Sequence, residues 1–331
     1  MGLGHQEFPK CCVSSLIKDA GLYMQKTFSN ETQSNAFGYH ELRHKPAKDE
    51  LKSYYEKRYY QDEIRTHRQI YSDQELLYRK NKCEQKALLA ERAWGDKKPV
   101  KPKLLDIGAG EGFVMNYFLN AGYDIYGVDF SNHGCRNHHP HLLKNLRTGD
   151  IEEIVSELVT QQDQFDLIVL DNVLEHLLDA GGVLNKISQL LTVNGLLIIE
   201  VPNDFSFVQN HLLANHTIPK PFWVASPDHI SYFNADGLNQ LLSSQAFTNL
   251  EILGDFPIDL FLFNEKTNYV TDAHVGKSCH QARIEIENLL HKHNPEATLE
   301  MYSSMGKLGL GRQILGVYTL SKESNSKSSK E

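Results

Sequence analysis

The feature that most constrains this chain is the run Leu104-Leu105-Asp106-Ile107-Gly108-Ala109-Gly110-Glu111-Gly112-Phe113, followed by Asp124-Ile125-Tyr126-Gly127-Val128-Asp129. An apolar strand gives way to closely spaced glycines, a helical pattern follows, and a second apolar strand ends on an acid. Glycines at 108, 110 and 112 let the backbone turn sharply and approach a ligand, and the helix start behind them presents unbonded amides. Asp129 lies 21 residues beyond Gly108, where a carboxylate can accept both hydroxyls of a ribose.

The alternation continues along the chain. Apolar runs at 103–108, 124–129, 165–170 and 196–201 predict strands, with helices at about 111–121, 131–145, 151–161 and 179–191. Strands interleaved with helices imply a parallel sheet covered on both faces, with its ligand at the carboxyl ends of the strands. A helix at about 235–246, a strand at 250–254 and a last strand at 314–320 complete the pattern. The roughly 60 residues between those two strands are too many for a hairpin loop. They include a helix near 279–292, with Ala282, Ile286, Leu289 and Leu290 on its expected apolar side.

The expected fold class is α/β: a doubly wound and mostly parallel sheet, Rossmann-like and seven-stranded by the family resemblance set out below, with a helical N-terminal leader and a helical insertion before the last strand. The chain divides into a leader (1–100), a ligand-binding core (101–255), a cap insertion (256–312), the last core strand (313–321) and a disordered Ser/Lys/Glu-rich tail (322–331). Residues 1–45 are polar and weakly periodic, and most of them are expected to form an arm. Ser72 and Glu75 match a capping box that opens a helix running to about Trp94.

Composition narrows the function. The formal charge is −8, from 34 basic and 42 acidic residues, which argues against a nucleic-acid partner. The five cysteines show no C-x-x-C pair, and no run approaches the ~18 apolar residues of a membrane span. A reduced, cytoplasmic setting without membrane contact is the expectation.

A glycine loop with a downstream acid also suits NAD(P) and an oxidoreductase. The dinucleotide fingerprint, however, needs a third glycine where this chain has Phe113. Asp106 and Glu111 would repel a pyrophosphate and attract a sulfonium and an α-ammonium, the two cations of S-adenosyl-L-methionine.

The run Leu104–Gly112, Asp129, Gly149-Asp150 and the stretch FDLIVLDNVLEHL (165–177) together resemble the motif series of class I S-adenosylmethionine-dependent methyltransferases. Pro202-Asn203 and the later His229-x-x-Tyr232-Phe233 element bring the likeness nearest to bacterial small-molecule and sugar methyltransferases. The resemblance covers about residues 100–255. It implies that Asp106, Gly108 and Gly110 surround the methionine end and that Asp129 binds the ribose. It places Phe130, Asp150 and Ile151 at the adenine, and Asn172 on the methionine side. Asp150 also reads as a plain helix cap ahead of Ile151.

The implied reaction is methyl transfer to a small-molecule acceptor, such as a hydroxyl of a sugar or nucleotide-linked sugar, with a histidine as general base. His229 and His176 are the candidates, His229 being favoured for its place after a possible lid (203–227); each also reads as a structural histidine. Lys307 and Arg312, in a glycine-rich turn, offer a grip for an anionic acceptor or simply a turn. No metal is expected: His138, His139 and His141 flank a proline-broken loop, and Asp171-Asn172 lacks a third oxygen ligand. A homodimer is the one macromolecular partnership considered. A non-catalytic subunit that keeps the fold is the remaining alternative.

Overall fold

The computed structural model describes residues 31–54 and 70–321. The chain opens with two short strands, β1 (Thr32–Ser34) and β2 (His40–Leu42), and a helix α1 (Lys48–Tyr54) with Asp49 and Glu50 in its first turn. Residues 1–30 of the expected arm fall outside the described residues, and the two strands lie in the part that is described. Thr32 and Leu42 are buried, and three residues are too few for a periodic signal. Tyr54 lies in α1, whereas Tyr55, Tyr59 and Tyr60 fall outside the described residues.

Helix α2 (Asp73–Trp94) starts at the expected capping box: the Ser72 hydroxyl accepts from the Glu75 amide, and the Glu75 side chain bonds back. The core then runs β3 (Lys103–Ile107), α3 (Phe113–Asn120), β4 (Asp124–Asp129), α4 (His133–His138), β5 (Leu146–Thr148), α5 (Ile151–Thr160), β6 (Phe165–Asp171), α6 (Ala180–Leu190) and β7 (Leu191–Pro202). The helix expected over 131–145 is broken. Pro140 lacks the amide a helix interior needs, and a 3-10 turn (Pro140–Asn145) replaces the second half.

After β7 come α7 (Phe207–Ala214), β8 (Ser231–Tyr232), α8 (Ala235–Ser244) and β9 (Phe247–Gly254). The stretch 203–227, the candidate lid, holds α7 behind a second capping box, Ser206 with Gln209. The insertion then supplies α9 (Gly276–His293) and α10 (Pro295–Lys307) before the last strand, β10 (Gln313–Leu320).

Seven strands form one sheet in the order β5-β4-β3-β6-β7-β10-β9. β10 runs antiparallel to both neighbours; the other pairings are parallel. Strand order reverses between β3 and β6, which places a crevice at their carboxyl ends. One face is covered by α5, α6 and α8 (Val155, Leu184, Leu241), the other by α2, α3 and α10 (Trp94, Phe118, Leu299). A second sheet, β1-β2-β8, joins α7 in a separate apolar cluster around Leu42, Leu212, Trp223 and Tyr232.

Helix α9 departs from expectation in part: Ala282, Ile286 and Leu290 are half-buried. Leu289 is 64% exposed, whereas Arg283, Glu287, Asn288 and His291 are buried. Polar groups from α2 account for this. Lys82 bonds Glu287 at 3.1 Å and Asp255 at 3.3 Å, and the Asn81 amide donates to Asn288 at 3.0 Å. Arg283 bonds both Glu287 and Asp255, so every charge in this interface has an opposite partner.

Candidate active site

A cavity of about 390 Å³ opens at the carboxyl ends of β3, β4 and β6. Asp106, Gly108, Gly110, Asp129, Phe130, Asp150, Ile151 and Asn172, spread over 67 positions of sequence, all line it, together with His176. His229 is not in its wall and stands behind His176.

The glycine loop is forced by space as well as torsion. Gly108 has φ +78°, and a Cβ there would sit 2.2 Å from the Val173 Cγ2 atom. Gly110 has φ +53°, and its amide donates to the Asp129 carboxylate at 2.8 Å. The other Asp129 oxygen accepts from the Ser131 amide at 2.9 Å. Asp129 thus holds the loop shape while facing the cavity. Asp150 serves two ends as well: it caps α5 by accepting from the Glu153 amide at 3.0 Å and pairs with Lys48 of α1 at 3.0 Å. Through Lys48 and Leu51, α1 forms part of the cavity wall beside Asp150 and Ile151.

The floor is acidic. Asp106 is 1% exposed, and its Oδ2 has no hydrogen-bond partner. Burial and the neighbouring Asp171 and Asp129 carboxylates push its carboxyl up to about 8. Asp171 itself lies below the usual range: burial opposes its charge, but Lys86 prevails at 3.0 Å. Lys86, 1% exposed on α2, also bonds Glu200 of β7. Asn172 takes a left-handed conformation, φ +55°, and donates to Asp171 at 2.8 Å.

Glu111 differs from expectation. Instead of presenting a bare charge, it accepts from the Tyr71 hydroxyl at 2.7 Å and lies 3.5 Å from Arg79. Arg79 also lies over the Tyr71 ring, 4.3 Å from its centroid. Among the acids lining the cavity, Asp106 is the one with a buried carboxyl oxygen that has no partner.

These features fit S-adenosylmethionine. A buried carboxyl oxygen without a partner suits an α-ammonium, the β4 acid lines the same cavity, and the loop closes to backbone distance only with glycine. The nicotinamide alternative lacks support at Phe113, which lines the same cavity where its fingerprint requires glycine.

Beside the cavity, His176 Nδ1 lies 2.7 Å from the Asp228 carbonyl oxygen. A carbonyl only accepts, so Nδ1 carries the hydrogen and Nε2 is the basic nitrogen of the neutral ring. The His229 ring crosses His176 at 82°, with centroids 4.9 Å apart. Burial lowers the basicity of His176; for His229, burial, His176 and Arg312 press the imidazole down to about 3. Glu175 is 1% exposed, neither of its oxygens has a hydrogen-bond partner, and burial raises its carboxyl well above the usual range. Ligand atoms of Glu175, His176 and His229 lie within 4.8 Å of one another, close enough to share a divalent cation.

Arg312 is engaged: its guanidinium pairs with Asp204 at 2.9 Å, and its amide donates to Asp255 at 2.9 Å. Sequence reasoning missed Lys48, Arg79 and Lys86. Lys86 did leave a signal, a lysine set beside Cys83, Ala87, Ala90 and Trp94 on the buried face of α2.

No helix among the described residues is long and apolar enough to cross a membrane. Comparison with known proteins points the same way as the site. A ubiquinone biosynthesis O-methyltransferase of Rhodopseudomonas palustris (strain TIE-1) is 26% identical over 101 residues, 30% of this chain and 40% of that protein. The enzyme of that name from Pelagibacter ubique (strain HTCC1062) is 31% identical over 107 residues, 32% of this chain and 45% of its own length. The chain thus spans less than half the length of these curated relatives. The crystal structure of a SAM dependent methyltransferase from Archaeoglobus fulgidus overlays 70% of this chain and 93% of its own, at 17% identity and a TM-score of 0.43. A family model described as a methyltransferase domain matches residues 78–252, from the leader helix α2 into β9. That match takes in more than half of the chain, which belongs to the class I S-adenosylmethionine-dependent methyltransferases.

Proposed function

We propose that this protein transfers the methyl group of S-adenosylmethionine to an oxygen nucleophile on a small-molecule acceptor, a hydroxyl of a sugar or related metabolite, with His176 as general base. The observation that carries this reading is His176 itself, which lines the same cavity as the eight cofactor residues and whose tautomer is set by Asp228.

When bound, S-adenosylmethionine supplies a methyl carbon already activated by its sulfonium. The chain's own residues must align the acceptor, keep water out and accept a proton. Alignment alone contributes on the order of 7–11 kcal/mol. Asp129 orients the ribose, Asp150 and Ile151 bound the adenine side, and Asp106 anchors the amino-acid end. His176 Nε2 takes the hydroxyl proton, while Asp228 holds the ring in the tautomer that keeps this nitrogen basic. His229, favoured from sequence, is assigned the supporting place here: buried behind His176 and poorly basic, it fixes the ring it crosses.

The test is a screen of hydroxylated acceptors with methyl-labelled S-adenosylmethionine, alongside His176→Ala and His229→Ala. Loss of turnover by about 10² or more in His176→Ala, with cofactor affinity retained, supports the base. Undiminished turnover in that variant sinks it. Should only amines accept label, the oxygen nucleophile is wrong while the enzyme class stands. Light scattering in solution decides on the homodimer.

One observation favours a second reading of the histidines: the convergence of Glu175, His176 and His229. In that reading the three side chains would hold a divalent cation, which would supply Lewis-acid activation of the acceptor hydroxyl. Activity abolished by a chelator and restored by one metal would replace the histidine base with this reading.

A further inference from the structure

Four carboxyl groups, Asp106, Asp129, Asp171 and Glu200, come from four strands whose carboxyl ends meet at one end of the sheet. Lys86, fully buried, divides its charge between Asp171 and Glu200. It reaches them from the leader helix, one turn beyond the Lys82 that anchors the same helix to the insertion. Asp106 lines the cavity with a buried Oδ2 that has no hydrogen-bond partner.

We propose that Lys86 is a positioning residue for cofactor binding: by engaging Asp171 and Glu200 it leaves Asp106 to be paired by the cofactor's α-ammonium, so that cofactor uptake expels the Asp106 proton. The inference rests on the S-adenosylmethionine reading. In the empty site the Asp106 carboxyl is neutral; on binding, its O–H bond breaks, the proton passes to solvent and the carboxylate forms an ion pair with the ammonium. No other bond changes.

The groups facing Asp106 are Asp171 from β6, Asp129 from β4, Lys86 and Cys83 from α2, and Cys135 from α4, with the Met115 amide of α3 as a hydrogen-bond donor. The first two raise its proton affinity; Lys86 and the amide lower it. Burial holds both cysteines as neutral thiols, so they add no charge near neutral pH. The balance is thus set by one cation against two anions.

The experiment is calorimetric binding of S-adenosylhomocysteine to the full chain from about pH 6 to 8, in two buffers of different ionisation enthalpy to count protons. The wild type should bind up to tenfold more tightly per pH unit, with close to one proton released at the acid end of that window. In Lys86→Met the profile should shift upward by at least one unit, weakening binding about tenfold at neutral pH, whereas Lys86→Arg should hold the wild-type profile. Asp171→Asn, which removes a raising charge, should shift it downward, and it carries the test if Lys86→Met fails to fold. Wild-type binding that is flat with pH and exchanges no proton overturns the proposal. So does a wild-type profile in a folded Lys86→Met protein or, failing that protein, in Asp171→Asn. Absence of any S-adenosylhomocysteine binding overturns the cofactor reading itself.

Discussion

Two successive turns of α2 carry ion-paired lysines, Lys82 partly buried and Lys86 fully so, and the regions they serve differ in kind. Lys86 points into the floor of the cofactor cavity, where Asp106 has a carboxyl oxygen without a partner. Lys82 points into the insertion, where Asp255, Glu287, Arg283 and Tyr302 all find partners. The first region leaves hydrogen-bonding capacity open for a ligand; the second closes on itself. The difference teaches where this protein stores binding capacity and where it stores stability.

The contrast breaks most sharply at the glycine loop. Gly108→Ala adds a Cβ 2.2 Å from Val173 and imposes a side chain at φ +78°. Cofactor affinity should fall by at least ~100-fold, equivalent to about 3 kcal/mol. Val173→Ala in the same chain should recover only part of that loss, because the torsional penalty of about 1 kcal/mol or more remains. Binding titrations of the single and double variants measure both terms. Near-wild-type affinity in Gly108→Ala would mean that the loop does not seat the cofactor.

The closed region should show its largest effect in stability. Glu287→Ala leaves Arg283 and Lys82 short of a partner in a buried interface, at a cost of roughly 3–5 kcal/mol. Leu289→Lys, on the exposed face of the same helix, should change stability by no more than ~0.5 kcal/mol. Chemical denaturation of the two variants decides it. If Leu289→Lys is the more damaging, the polar face is not what holds α9 in place.

This pair also marks the limit of what the sequence discloses. The core was legible because burial on both faces makes β3, β4, β6 and β7 apolar runs, and because a ligand loop at a switch point demands glycine at fixed spacing. Asp106, Asp129 and Asn172 sit at strand ends, so finding the strands locates them. α9 was misread in part because hydrophobic periodicity assumes that the buried stripe is apolar; here the most buried positions include Arg283, Glu287, Asn288 and His291, whose partners lie about 200 positions away on α2. Lys86 was half-legible for a related reason: its place among Cys83, Ala87, Ala90 and Trp94 marks a buried lysine, but its two carboxylate partners lie on strands far away in sequence. β1, β2 and β8 are too short to carry a period at all.

The smallest expected effect has the opposite sign, and it separates function from stability in the open region. Asp106 has a folded-state carboxyl raised from 3.8 to about 8. Below the lower value it is protonated in both folded and unfolded chains and contributes no pH dependence. Between the two values the unfolded chain binds fewer protons, so stability falls as pH rises, and the loss is complete above the upper value. Asparagine keeps the size of the side chain and never ionises. Without ligand, Asp106→Asn should therefore melt higher than the wild type by at least ~2 °C near pH 8, with the gap closing toward pH 4. Saturating S-adenosylhomocysteine should reverse the order, since the ammonium then has a carboxylate to meet only in the wild type. An Asp106→Asn protein that melts lower than the wild type without ligand at pH 8 would show that the carboxyl is already paired in the empty site. The openness assigned to this floor would then be wrong.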